Sequence, residues 1–151
     1  MLSFFRKKDF FSAEENQLIV QAIRNAEKQT SGEVRVYVES RCKFVDPLDR
    51  AAEIFFGLKM EQTAERNAAL VYVATRDRQL AVFGDSGIHQ KVGESFWSGE
   101  VSKMVSEFDR ENHAEGIVKV VTDIGEALKT HFPFLGEKDK NELPDDIVFG
   151  R

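Results

Sequence analysis

The chain has 151 residues, 42% of them hydrophobic and 31% charged, with a formal charge of −5 and a pI near 5.3. That length supports one well-buried core and is too short for two ordinary domains. The acidic balance excludes nucleic-acid backbone binding as the main task, and the longest apolar run, Ala68 to Ala74, falls far below the roughly 20 residues of a membrane helix.

Cys42 is the only cysteine, which excludes an internal disulfide and a cysteine-based zinc site and fits a reducing compartment. At the start, Met1 to Lys8 places its basic residues after a short apolar part, the reverse of a secretory signal, so a cytoplasmic location is expected. Phe4, Phe5, Phe10 and Phe11 flank Arg6, Lys7 and Lys8, making residues 1–11 an aromatic and basic arm. Such an arm suits weak contact with a membrane surface or an unidentified protein partner, or its rings fold back onto the core.

Ser12 followed by Glu15 forms a capping box, and Leu18, Ile19, Ala22, Ile23 and Ala26 recur at helical spacing to about Gln29. Thr30-Ser31-Gly32 then breaks the helix, Gly32 being able to take a positive φ, and Val34, Val36 and Val38 alternate along a strand from Glu33 to Glu39. Asp46-Pro47 starts a second helix, running to about Met60 with Ile54, Phe55 and Leu58 inward. Continuous apolarity from Ala69 to Ala74 suits a central strand covered on both faces. Thr75 to Arg78 turns the chain into a returning strand, Gln79 to Phe83, and a short helix follows near Ile88 to Val92.

From Glu94, the residues Phe96, Trp97, Val101, Met104, Val105 and Phe108 form one apolar face. Asn112 and Glu115 carry the capping pattern of a last helix that buries Ile117, Val118, Val120, Val121, Ile124 and Leu128 and stops at Pro133. Residues 12–135 therefore make one domain, and the charge-rich residues 136–151 read as a mobile tail. The order α-β-α-β-β-α-α-α implies an α/β fold, a three-layer α/β/α sandwich with a small mixed sheet. Strands one and two are parallel across a helical crossover, and strand three is antiparallel to strand two.

This topology gathers the start of strand one, the start of strand two and the end of strand three at one sheet edge, where Glu33, Arg66, Asn67 and Asp85 converge, with Asp77 at the opposite edge. Glu33 and Asp85, with Asn67 and Ser86 as neutral oxygen donors, would suit Ca²⁺ or Mg²⁺, which prefer several oxygens around a few carboxylates; the plainer alternative is that both acids solvate the rim. Glu111 and Glu115 are candidates to supplement that site if the last helix opens toward it, and helix-dipole compensation explains them equally well. Arg66 has the fork geometry to hold a phosphate oxygen, or simply forms an ion pair. His113 is a candidate acid or base at the same cleft, or a solvated helix start. Gly84-Asp85-Ser86-Gly87 matches the nucleophile motif of trypsin-like proteases without the His and Asp that chemistry needs, so a tight strand-to-helix turn accounts for it.

Taken together, Thr30 to Val36, Arg66 to Ala74, Asp77-Arg78, Gly84 to Ile88 and Glu115-Gly116-Ile117 resemble the TPM-domain family of acid-phosphatase-like and membrane-complex accessory domains, over roughly residues 12–133. The resemblance implies an α/β/α sandwich with a divalent-cation cleft, and either a non-catalytic accessory role or acid phosphatase activity. The expectation is a binding or accessory module that holds Ca²⁺ or Mg²⁺, with a weak metal-dependent phosphatase as the alternative. A phosphatase would need an activated nucleophile, and Ser86 has no obvious base.

Overall fold

The structure, a computed structural model, describes residues 10–43, 46–134, 136 and 146–150. Helix α1 (Ala13–Glu27) starts at Ser12, whose Oγ accepts from the Glu15 amide at 3.1 Å while the Glu15 carboxylate accepts from the Ser12 amide at 2.8 Å. Two of the helix's orphan donors are thereby satisfied. Helix α2 (Pro47–Gly57) starts where Asp46 Oδ1 accepts from the Leu48 amide at 2.9 Å, and it ends three residues before the expected Met60. Between them runs β1 (Glu33–Glu39), and β2 (Ala68–Ala74) and β3 (Gln79–Gly84) follow as a hairpin.

β1 and β2 pair in parallel, with Glu33 opposite Ala68 and Glu39 opposite Ala74, and β3 runs antiparallel to β2. The sheet carries a fourth strand, β4 (Val148–Phe149), parallel to β1, giving the order β3-β2-β1-β4. The sequence predicts a tail over residues 136–151, so this strand is a departure from expectation. Its two residues are extended because the free edge of β1 supplies their partners.

One face of the sheet, through Val34, Val36, Val38, Ala69, Val71, Val73 and Val82, packs against Ile19 and Ile23 of α1, Met104 of α4 (Glu94–Asp109), and Ile117, Ile124 and Leu128 of α5 (His113–His131). The other face, through Ala68, Leu70, Tyr72 and Ala74, packs against Ala51, Ile54 and Phe55 of α2. β2 is buried on both faces along its whole length, which is why its sequence is continuously apolar. Each fully buried Ile or Leu contributes about 1.5–3 kcal/mol.

Three local expectations change. Gly32 does not take a positive φ: α1 ends five residues earlier, and glycine is required because a Cβ at Gly32 would lie 2.6 Å from Leu128 Cδ2 and 3.0 Å from the Asn67 carbonyl oxygen. On α4, Glu100 takes the buried position between Trp97 and Met104 (3% exposed), while Val105 is 41% exposed. Asn112 precedes α5 without capping it, because its amide donates instead to Glu107 Oε1 at 3.1 Å.

Candidate functional site

The amino ends of β1 and β2 and the end of β3 form a single edge, as their register requires. The Glu33 amide donates to the Asn67 carbonyl at 3.3 Å, and the Asp85 amide to the Ala68 carbonyl at 2.9 Å. Glu33, Asn67 and Asp85 are all buried there, at 2%, 1% and 2% exposure. A short helix, α3 (Ser86–Val92), begins at this edge, and Asp85 caps it by accepting from the Ser86 amide at 2.7 Å.

Arg66 sits beside Asp85 in a left-handed conformation, φ 53°. Its guanidinium grips both carboxylate oxygens, Nε to Oδ2 at 2.7 Å and Nη2 to Oδ1 at 2.8 Å. This fork is the strongest geometry available to such a pair, and it raises the Arg66 pKa through the hydrogen bond and the charge of Asp85. Asp85 is thus already neutralised, and Arg66 is already committed.

Asn67 is less complete. Its Nδ2 donates to Ser31 Oγ at 3.2 Å, and Ser31 Oγ donates in turn to Glu65 Oε2 at 3.2 Å, but the buried Oδ1 accepts no hydrogen bond. A buried amide oxygen without a donor costs on the order of 1–3 kcal/mol. It is the atom at this edge that a cation would relieve. The second glycine of the Gly84 to Gly87 turn lets the α3 start press on this corner: a Cβ on Gly87 would lie 2.1 Å from the Glu65 carbonyl oxygen, and the Gly87 amide donates to the Arg66 carbonyl at 2.8 Å.

Glu111 and Glu115 do not join this site. α5 runs antiparallel to β1 and β2, so Thr30 Oγ1 reaches the Leu128 carbonyl at its C-terminal end, while His113 at its start lies with Ala74 and Thr75 at the carboxyl end of β2. A helix of this length spans about 28 Å, which carries both acids to the opposite edge. His113 lies there too, its ring edge-on to Phe10 at 5.0 Å and to Phe108 at 4.7 Å. Ser86 is exposed and its hydroxyl meets no base among the described residues; the nearby His89 instead accepts from Trp97 Nε1 at 3.0 Å. Among the described residues no three His, Cys, Asp or Glu side chains are grouped to hold a metal ion.

Two polar clusters were not legible as sites. At the carboxyl end of β1, buried Glu39 takes both Arg50 Nε (2.9 Å) and Nη2 (2.8 Å), and also the Tyr72 hydroxyl. The hydrogen bond to Glu39 raises the Arg50 pKa, and burial followed by the Glu39 contact raises that of Tyr72. Between α4 and α5, Lys103 Nζ bridges Glu100 Oε2 (3.1 Å) and Asp123 Oδ2 (2.8 Å), leaving Glu100 Oε1 without a partner.

The sequence model of the TPM domain matches residues 5–127. The chain belongs to the TPM-domain family. The match takes in β1, β2, β3 and the whole amino-end cluster, while β4 lies beyond it. Among solved structures, this TPM domain is similar to the BA42 protein of the psychrophilic bacterium Bizionia argentinensis, solved by NMR. Their identity is 40% and TM-score 0.84, with 93% of this chain and 96% of that chain covered. The N-terminal domain of the cg2496 protein of Corynebacterium glutamicum shares the fold at 12% identity and a TM-score of 0.61, over 91% of this chain and 80% of that one. Curated protein sequences give no match. No helix among the described residues is long and apolar enough to cross a membrane.

Proposed function

We propose that this TPM domain is a binding or accessory module that holds one Ca²⁺ or Mg²⁺ ion at the amino ends of β1 and β2. The observation that carries the reading is the Asn67 Oδ1 atom, buried and without a hydrogen-bond donor, at the same sheet edge as the buried Glu33 and Asp85. Hard cations take amide, hydroxyl and water oxygens as readily as carboxylates. Asn67, Ser31 and Glu65 supply the first two kinds and a rim carboxylate, so a site here does not need three acids. Arg66 acts as the resident counter-charge of Asp85, and Asp85 becomes a full ligand only as Arg66 lets go.

The phosphomonoesterase alternative has less support. Charge stabilisation of a phosphoryl group would fall to Arg66, whose fork is spent on Asp85, and Ser86 meets no base among the described residues to activate it.

Titrating CaCl₂ and MgCl₂ into metal-free protein, followed by backbone amide NMR, tests the reading. Saturable shifts centred on Glu33, Asn67 and Asp85 are expected; an unchanged spectrum at these residues overturns it.

A further inference from the structure

At the opposite sheet edge, the β2–β3 turn and the α4–α5 corner enclose a cavity of about 220 Å³ lined by Leu80, Arg78, Val105, Phe108, His113 and Phe10, among others. A dry protein cavity of about 150 Å³ accommodates benzene, so this one has room for a ring and a short polar tail. It sits at the carboxyl end of β2, the side on which open α/β sheets characteristically place ligands. Phe10 and Val105, two of the large apolar side chains this chain leaves exposed (38% and 41%), meet at its rim.

The polar groups around it are incomplete. Arg78, held at φ 56° in the turn, and Asp109, at the end of α4, carry opposite charges on the same cavity, yet neither has an ion-pair partner among the described residues. The α5 start beside them has no side-chain cap, since Asn112 is diverted to Glu107, so its first amides have no acceptor among the described residues. Among the described residues neither His113 ring nitrogen has a hydrogen-bond partner, and the ring packs against Phe10 and Phe108.

We propose that this cavity binds a small zwitterion with an apolar side chain, an α-amino acid, its carboxylate on Arg78 and the α5 start, its ammonium on Asp109, and its side chain against Phe108, Leu80 and Val105. A simple anion would face Asp109 and a simple cation would face Arg78; only a ligand carrying both charges satisfies both walls.

L-phenylalanine, phenylacetate and phenethylamine are titrated separately, in the absence of divalent cations, with amide NMR as the readout. Phenylalanine is expected to give saturable millimolar shifts at Thr75, Arg78, Val105 and His113, and each half-ligand to bind at least tenfold more weakly. Arg78→Gly, which tolerates the positive φ, and Asp109→Asn are each expected to weaken phenylalanine at least tenfold, and Val105→Trp to abolish the shifts by filling the cavity. The native spectra of the variants report their folding directly. No saturable phenylalanine shift up to about 20 mM overturns the proposal, as does binding that is unchanged in both charge variants or stronger for either half-ligand.

Discussion

Replacing Glu100 by Gln should stabilise this protein at alkaline pH and leave it unchanged at acidic pH. Burial is the main reason the Glu100 carboxyl is pushed up from 4.5 to about 7; the neighbouring Asp123 raises it further and Lys103 opposes both. The folded protein therefore keeps a proton that the unfolded chain releases from pH 4.5 upward. Stability falls as pH rises through that window, and the deficit is complete above pH 7. A shift of that size corresponds to about 3 kcal/mol; the opposing contact with Lys103 is already included in it, so the expected gain above pH 7 is about 3 kcal/mol. A Gln side chain fills nearly the same volume as the protonated acid and, like it, carries no charge. Urea unfolding at pH 5, 6, 7 and 8 reads the difference, with Trp97, the sole tryptophan and one turn away on α4, as the reporter. With a urea m-value of about 2 kcal/mol/M, the midpoint of the variant should rise by about 1.5 M at pH 8 and by less than about 0.5 M at pH 5. Titrating groups remote from Glu100 cancel in that comparison. A variant less stable at pH 8, or a difference that does not grow with pH, would refute the reasoning.

Arg50→Gln strips the fork from buried Glu39 and should cost about 3 kcal/mol in chemical denaturation; a loss under about 1 kcal/mol would show that Tyr72 alone suffices. Gly87→Ala drives a Cβ into the Glu65 and Arg66 carbonyls and should cost more than about 2 kcal/mol, whereas Gly57→Ala, with open space around it, should stabilise by about 0.4–1 kcal/mol; thermal melts of the pair check the contrast. Arg66→Gln frees Asp85 from its resident cation, so calorimetry should show calcium binding at least tenfold tighter than in the parent, and weaker binding would mean that Arg66 supports the site.

What could be read in the sequence was what short-range chemistry determines. Ser12 with Glu15 and Asp46 with Pro47 place two helix starts because capping is local, and the unbroken apolarity of Ala69 to Ala74 marks a strand buried on both sides. Strand order follows from crossover handedness and the short turn at Thr75 to Arg78, and it suffices to bring Glu33, Asn67 and Asp85 to one edge. What was not legible depends on partners distant in sequence. β4 is two residues in a charged context, extended only because β1 offers an edge. Glu100 follows the buried stripe of α4, but its polarity hides it from any apolar count. Glu111 and Glu115 were assigned to the wrong edge because capping patterns say where a helix begins and not which way it lies on the sheet. The grip of Arg66 on Asp85, which changes what that acid can do, arises from a left-handed backbone at Arg66 that no residue type there announces.

The side-chain carboxamide of Asn67 gives the most direct test of the cation reading. Its NH₂ resonances, followed by NMR during a calcium titration, should shift with the same midpoint as the Glu33 and Asp85 amides, and Asn67→Ala should weaken binding at every probe. Calcium shifts elsewhere with an unmoved Asn67 carboxamide, or unchanged affinity in Asn67→Ala, would contradict the account.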